Sequence, residues 1–291
     1  MKRLGRAYSD TRGILANKVS PDQLLQPVTR VLSNLVSPEQ LEAGDHIYSW
    51  RRAYSYAHHG YLSLSLSYTL THTHTNKRQL HSGKVIHFTR PEGQQLTGTI
   101  LDKVASIDGS VPCHAYGPCK ECGDKLSNKG VVCTCLKCFL ADGYLYRYDY
   151  GKSAIKFLLN VRGGTCTLAL SDPPVDVLHR ANYLLRNGFR CYNLFQSNCE
   201  DFAVYCKTGL FVVKGTAVGA SGQATTVVGA PLAMVVASPV YLAGPMGMAL
   251  MVVGMYSLSR YFSDVKNRPG ASKIAVEDLV KKLSLVAPLS N

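Results

Sequence analysis

The chain has 291 residues, of which 46% are apolar and 18% charged, and its net charge is +13. That length supports one full core with appendages, and the composition is that of a globular chain leaning towards apolar surfaces or a membrane. The positive charge suits an anionic partner, but no basic run is interleaved with aromatics, which argues against nucleic acid. Ten cysteines without a secretory leader read as reduced thiols or metal ligands, not as a disulfide framework.

Residues 1–20 are basic without an apolar core, a faint likeness to an organelle transit peptide that makes the chloroplast one candidate location. Residues 15–24 (LANKVSPDQL) and 32–41 (LSNLVSPEQL) share seven of ten positions. Only the second copy runs into AGDHIYSW, so residues 1–42 are read as an N-terminal extension carrying a short duplication. Ile47–Tyr48 and the aromatic Tyr54–Tyr56 stretch predict two short strands. Lys84–Thr89 predicts another, with Val85 and His87 on one face and Ile86 and Phe88 on the other. Between them, residues 61–83 are low in complexity and read as an atypical insert. Leu62, Leu64 and Leu66 alternate as a strand would, and His72 and His74 are weak metal-ligand candidates.

Residues 171–189 (SDPPVDVLHRANYLLRNGF) predict a helix capped by Ser171 or Asp172 and stopped by Gly188. Asn198–Cys206 predicts a second helix, ended by Gly209. From Gly215 to Ser259 there are 45 positions without a charge. Residues 211–262 therefore read as an apolar membrane segment, long enough to cross a bilayer of ~30 Å but interrupted by Pro239 and Pro245. Arg260, Lys266 and Arg268 follow the uncharged run and place that end on the cytosolic side. Residues 263–291 close the chain as an amphipathic tail.

Cys199 opens a helix, where unpaired N–H groups and the dipole's positive end stabilise a thiolate. A nucleophilic cysteine also needs a base, and the base needs an orienting group. His58 and His87, in strand-like contexts, are the candidates. Taken alone, such a cysteine is more often a small buried hydrophobe.

The order GDHIYSW, histidine pair, VIHF, helix and FQSNCEDFAVYCKTG, from about Ala43 to Thr208, resembles the lecithin:retinol acyltransferase (LRAT) domain family. The likeness is strongest to its plant lead-sensitive-type members, within the NlpC-type thiol hydrolases. The resemblance implies an α+β, rearranged papain-like fold: an antiparallel sheet packed on helices over residues 43–210, with an apolar membrane-associated tail. It implies Cys199 as nucleophile, His58 as base and His87 as the third member, with His59 the alternative base. It also implies that both site histidines face Cys199. The family joins its two histidine strands by a short turn, whereas here residues 61–83 separate them.

Cys119-x2-Cys122 and Cys135-x2-Cys138 have the spacing of a structural four-thiolate zinc site within a Cys-rich knuckle, residues 113–138. Cys113 and Cys133 are spare. Four ligands leave no open position, so the zinc is structural and catalysis requires no cofactor. The combined expectation is a thiol acyltransferase or phospholipase A acting on a phospholipid or other acyl lipid. It would work through a Cys thioester on the cytoplasmic side of an intracellular membrane. The alternative is a catalytically inactive LRAT-like binding or metal-handling protein at a membrane.

Overall fold

The computed structural model describes residues 34–51, 56–64, 83–89, 119, 122, 130–160, 162–189, 198–212 and 244–286. The first copy of the duplication, His72, His74, Cys113, Pro239 and most of the 211–262 segment lie outside them. The fold is α+β. Five antiparallel strands form the main sheet in the order β4-β3-β2-β1-β5. They are β1 (His46–Arg51), β2 (Tyr56–Leu64), β3 (Gly83–Phe88), β4 (Val131–Cys135) and β5 (Tyr146–Arg147). Alternation along β2 fixes its two faces. Tyr61–Leu64, the first residues of the low-complexity stretch, continue β2 and pair with β3 from Tyr61↔Ile86 to Leu64↔Gly83.

One face of the sheet carries Tyr61, Ile86, Phe88 and Val131. Two helices cover it, α3 (Pro174–Asn187) and α4 (Cys199–Thr208), through Val177, Ala181, Leu184, Phe202, Ala203 and Cys206. The opposite face carries Ile47, Leu62 and Val85 beneath Phe139 of the short helix α1 (Leu136–Leu140). A further short helix, α2 (Ala154–Leu159), follows β5.

α3 begins with Pro173 at the cap position, not with Ser171 or Asp172. Asp172 is drawn into tertiary pairing instead: its carboxylate accepts from Arg180 at 2.8 Å and Lys273 at 2.6 Å. Gly188 does stop the helix, at φ 86°.

The chain's last part returns to the same core. β6 (Leu210–Val212) pairs antiparallel with β7 (Ala271–Lys273). Tyr205 donates its hydroxyl to the Ile274 carbonyl at 3.0 Å. Val276 and Leu279 of helix α6 (Val276–Val286) are buried in the cluster that holds α3 and α4.

Ahead of β7 stands α5 (Gly244–Ser263). Its C-terminal half is locked to the body. Buried Arg260 donates to the Asn160 carbonyl and lies 4.8 Å over the Phe157 ring. Buried Asp264 accepts from Thr167 Oγ1 at 2.7 Å and Leu168 N at 3.3 Å. The N-terminal half leaves Met246 (74%) and Leu250 (68%) exposed. Among the described residues no helix is long and apolar enough to cross a membrane.

Gly60 pins the contact between β2 and α1. A Cβ there would meet Val85 Cγ1 at 2.8 Å, and His87 Cβ and Phe139 Cε2 at 3.0 Å. Gly60→Ala is therefore expected to destabilise the protein by about 1–3 kcal/mol through overpacking. A urea midpoint equal to the unaltered protein's would show that Phe139 can retreat at no cost.

Candidate active site and metal centre

The nucleophile candidate sits where a short polar sequence starts a helix. Asn198 caps α4: its side-chain oxygen accepts from Glu200 N at 2.9 Å and Asp201 N at 3.2 Å. Asp201 reaches back to accept from Asn198 N at 3.1 Å, completing a capping box. Gly209, at φ 68°, closes the other end in the left-handed conformation that glycine adopts without penalty. Cys199, the first helical residue, is buried, and its thiol donates to the Ala57 carbonyl of β2 at 3.7 Å. The cysteine therefore lies against β2 on the positive end of the helix dipole.

His59 shares with Ala57 and Tyr61 the β2 face that α4 covers. Its Nδ1 is hydrogen-bonded to His46 Nε2 at 2.8 Å, and His46 Nδ1 to the Tyr150 hydroxyl at 2.7 Å. The strand register explains the meeting: Tyr48 is opposite His59 and His46 opposite Tyr61, so all four side chains share one face. Tyr148 stacks on His46 at 4.3 Å and Tyr48 on His59 at 5.5 Å. Tyr148 in turn donates to Glu200 Oε1 at 3.3 Å. His59 Nε2 is buried without a hydrogen-bond partner. Burial pushes His59 down to about 3, and burial together with His59 and Lys207 holds His46 well below the ordinary range, so both rings are neutral near pH 7.

The other two histidines meet on the opposite side of the sheet. His58 Nε2 is hydrogen-bonded to His87 Nδ1 at 2.9 Å, and His87 Nε2 to Thr134 Oγ1 at 3.0 Å. Phe139 lies 5.3 Å from the His58 ring and 5.5 Å from His87. Arg51 arches beside them and donates to the Phe139 carbonyl. His58 and His87 thus come together as the motif order implies, but on the face away from α4. The thiol of Cys199 itself meets β2 at the Ala57 carbonyl, next to His58 in the chain. Phe202 and Ala203 of α4 pack on the Tyr61 face, and alternation assigns His59, not His58, to that face.

Close to this pair lie the four cysteines of the two CxxC motifs. The sulfurs of Cys119, Cys122, Cys135 and Cys138 all fall within 4.8 Å of one another. Cys119 and Cys135 are 4.0 Å apart, against about 3.8 Å for a tetrahedral edge when each zinc–sulfur bond is ~2.3 Å. The backbone helps shape the cluster: Cys135 N donates to Cys122 Sγ at 3.1 Å and Cys138 N to Cys135 Sγ at 3.4 Å. Such contacts are those a deprotonated, metal-bound thiolate would accept. Cys133 turns away and packs against the core beneath α3 and α4. The four thiols could hold one metal ion.

Sequence reading passes over His46 and Tyr150. A signal for His46 exists in the alternation His46–Tyr48–Trp50, which marks a polar ring on an aromatic face. Its partner cannot be read without the β1–β2 register. Tyr150 lies 104 residues from His46 in the chain, and no local pattern joins them.

Neutral buried histidines make the fold acid-sensitive. The unfolded chain binds their protons below about pH 6.5, whereas folded His59 and His87 do so only near 3. Stability should therefore be full above pH 6.5 and fall as the pH is lowered, by up to about 2 kcal/mol per such histidine at pH 5. Urea midpoints at pH 7 and pH 5 measure this; equal midpoints would contradict neutral burial. Separately, purified protein should carry about one zinc per chain. Cys119→Ser with Cys122→Ser should abolish it and lower the melting temperature. Wild-type protein that is metal-free yet equally stable would exclude the centre.

Comparison with known proteins fits this arrangement. The family profile described as lecithin retinol acyltransferase matches residues 79–212, a span that includes His87 and Cys199 and opens downstream of β1 and β2. The chain is 45% identical over 257 residues to Protein LEAD-SENSITIVE 1 of Arabidopsis thaliana, covering 87% of this chain and 92% of that protein. No solved structure matches. The profile match and the near full-length likeness to a plant relative agree with the NCE helix packed on its histidine-bearing strand: the chain belongs to the lecithin retinol acyltransferase family.

Proposed function

We propose that this protein is a thiol acyltransferase or phospholipase A-like enzyme of papain-like design, working on acyl lipids at a membrane surface. The observation that carries the reading is the seating of Cys199 at the capped start of α4, against β2, on the face where His59 keeps a buried, partnerless Nε2. In the first step His59 Nε2 takes the thiol proton, and the sulfur attacks the carbonyl carbon of a lipid ester. The negative charge on the carbonyl oxygen develops at the positive end of α4. Collapse of the tetrahedral adduct expels the alcohol portion, which takes the proton back from His59. The acyl group is left as a Cys199 thioester. Water, an amine or a hydroxyl then attacks the thioester while His59 removes its proton, and Cys199 regains a proton as it leaves.

Membrane contact is supported by the apolar side chains that α2 and α5 leave in solvent, among them Ile155, Leu159, Met246, Leu250 and Phe262. The net charge of +13 favours an anionic surface, and the cytoplasmic face of an intracellular membrane is the setting we assign. A second reading, an inactive metal-handling protein, draws on the four-thiolate cluster and on a relative named for lead sensitivity.

The two readings separate in one experiment. Full-length protein in detergent micelles is mixed with a fluorescent phosphatidylcholine and analysed for an acyl adduct. A thioester on the peptide containing Cys199 is expected. Cys199→Ser should lower turnover by about 10³-fold or more, and His59→Gln by about 10²–10⁴-fold. No adduct on wild type, or equal turnover by Cys199→Ser, would leave the metal-handling reading in its place.

A further inference from the structure

We propose that Thr134 and Phe139 are positioning residues that carry the occupancy of the four-thiolate centre to the His58–His87 pair: a bound soft divalent cation fixes the two rings, and its loss frees them. Six consecutive residues, Thr134-Cys135-Leu136-Lys137-Cys138-Phe139, hold two of the four candidate ligands and, directly flanking them, two residues that touch the histidine pair. Thr134, just before Cys135, is hydrogen-bonded through Oγ1 to His87 Nε2 at 3.0 Å. Phe139, just after Cys138, lies 5.3 Å from the His58 ring and 5.5 Å from the His87 ring. Cys135 and Cys138 cannot be drawn to one ion without fixing the residues on either side of them.

The sulfurs are also what secures this part of the backbone. In the described sheet β4 is an edge strand, paired with β3 alone. At its end the Cys135 N–H donates to Cys122 Sγ at 3.1 Å, so a sulfur of the centre takes a backbone donor of the strand. Helix α1 is five residues long, too short to be stable by itself. Arg51 holds its last turn through the Phe139 and Leu140 carbonyls, and the Cys135 sulfur holds its first by accepting from Cys138 N at 3.4 Å. His87 is buried and His58 half-buried beneath this clamp. His46 and His59 lie on the other face of the sheet and provide a built-in comparison. The clamp also bears on β2, whose Ala57 carbonyl receives the Cys199 thiol next to His58. Metal-dependent acyl transfer is therefore expected, a consequence that rests on the proposed function above.

The test treats full-length protein in detergent micelles with diethyl pyrocarbonate, which modifies accessible imidazole nitrogens, and follows each histidine peptide by mass spectrometry. In zinc-loaded wild type, exposed His179 should react quickly and His87 slowly. Stripping with EDTA, or Cys119→Ser with Cys122→Ser, should raise the His87 rate at least about tenfold as the local unit loosens, with His46 and His59 unchanged. Zinc added back to stripped wild type should restore the slow rate. Thr134→Val should raise the His87 rate while zinc stays at about one per chain, and Thr134→Ser should return it to the wild-type value. An unchanged His87 rate on metal removal or in Thr134→Val overturns the inference, as does wild type that takes up no zinc. So does a rise shared equally by His46 and His59, the mark of a centre that merely holds the fold. Thr134→Val decides the matter even where the double cysteine variant does not fold. Labelling of Cys199 by p-nitrophenyl octanoate reads the consequence: stripped wild type should react at least about tenfold more slowly. Equal rates would cut the centre off from Cys199. If Cys199→Ser is labelled as fast as wild type, the acyl-transfer reading fails, while the histidine rates still decide the clamp.

Discussion

Successive side chains of a strand point to opposite faces, and β2 carries two histidines in succession. Everything distinctive in this structure is arranged around that constraint. His59 is committed to the face that α4 covers, where it meets His46 and the helix bearing Cys199. His58 is committed to the other, where it meets His87, Phe139 and the strand that leads into the cysteine cluster. A slip of one residue would exchange the two environments completely. Gly60, next in line, opposes that slip, because only a residue without a side chain allows Val85, His87 and Phe139 to approach so closely.

The two polar centres stand back to back on one sheet and differ in kind. The His46–His59–Tyr150 chain ends in a buried nitrogen without a hydrogen-bond partner, a deficit that costs free energy. The His58–His87–Thr134 chain has partners along its length, and Arg51 ties its flank to the end of α1. Thr134 lies next to Cys135, which contributes a sulfur to the cluster and caps α1. Cation binding there would stiffen β4 and α1, and through Thr134 and Phe139 the same strand that presents His59. Support for the His59 face thus comes from the opposite one.

What could be read beforehand was local. The NCE helix, with its Asn198 cap and Gly209 stop, follows from residues within a dozen positions of one another, and the meeting of the CxxC motifs from four cysteines between positions 119 and 138. The inner face of VIHF was also legible from alternation. Asp172 was not, because its two cationic partners come from α3 and from β7, 101 residues away. The choice between His58 and His59 was closed to sequence reasoning for the same reason. Alternation says that they diverge, but which face receives α4 is a property of the packed whole. Tyr61–Leu64 show the converse: a stutter of Ser and Leu supplies strand residues wherever a neighbouring edge such as β3 is available to pair with.

The pairing of β6 with β7 has a topological consequence for the apolar stretch it brackets. Val212 and Ala271, which flank residues 213–270, face each other across a two-stranded clasp. The points of departure and return are therefore about 4.8 Å apart, whereas a bilayer's hydrocarbon layer is about 30 Å thick. A polypeptide so clasped cannot end on the far side of a bilayer from where it began. The clasp that imposes this is three residue pairs and the hydrogen bond from Ile274 N to Gly209 O at 3.0 Å, and Arg260 and Asp264 add their own anchors to the body ahead of it.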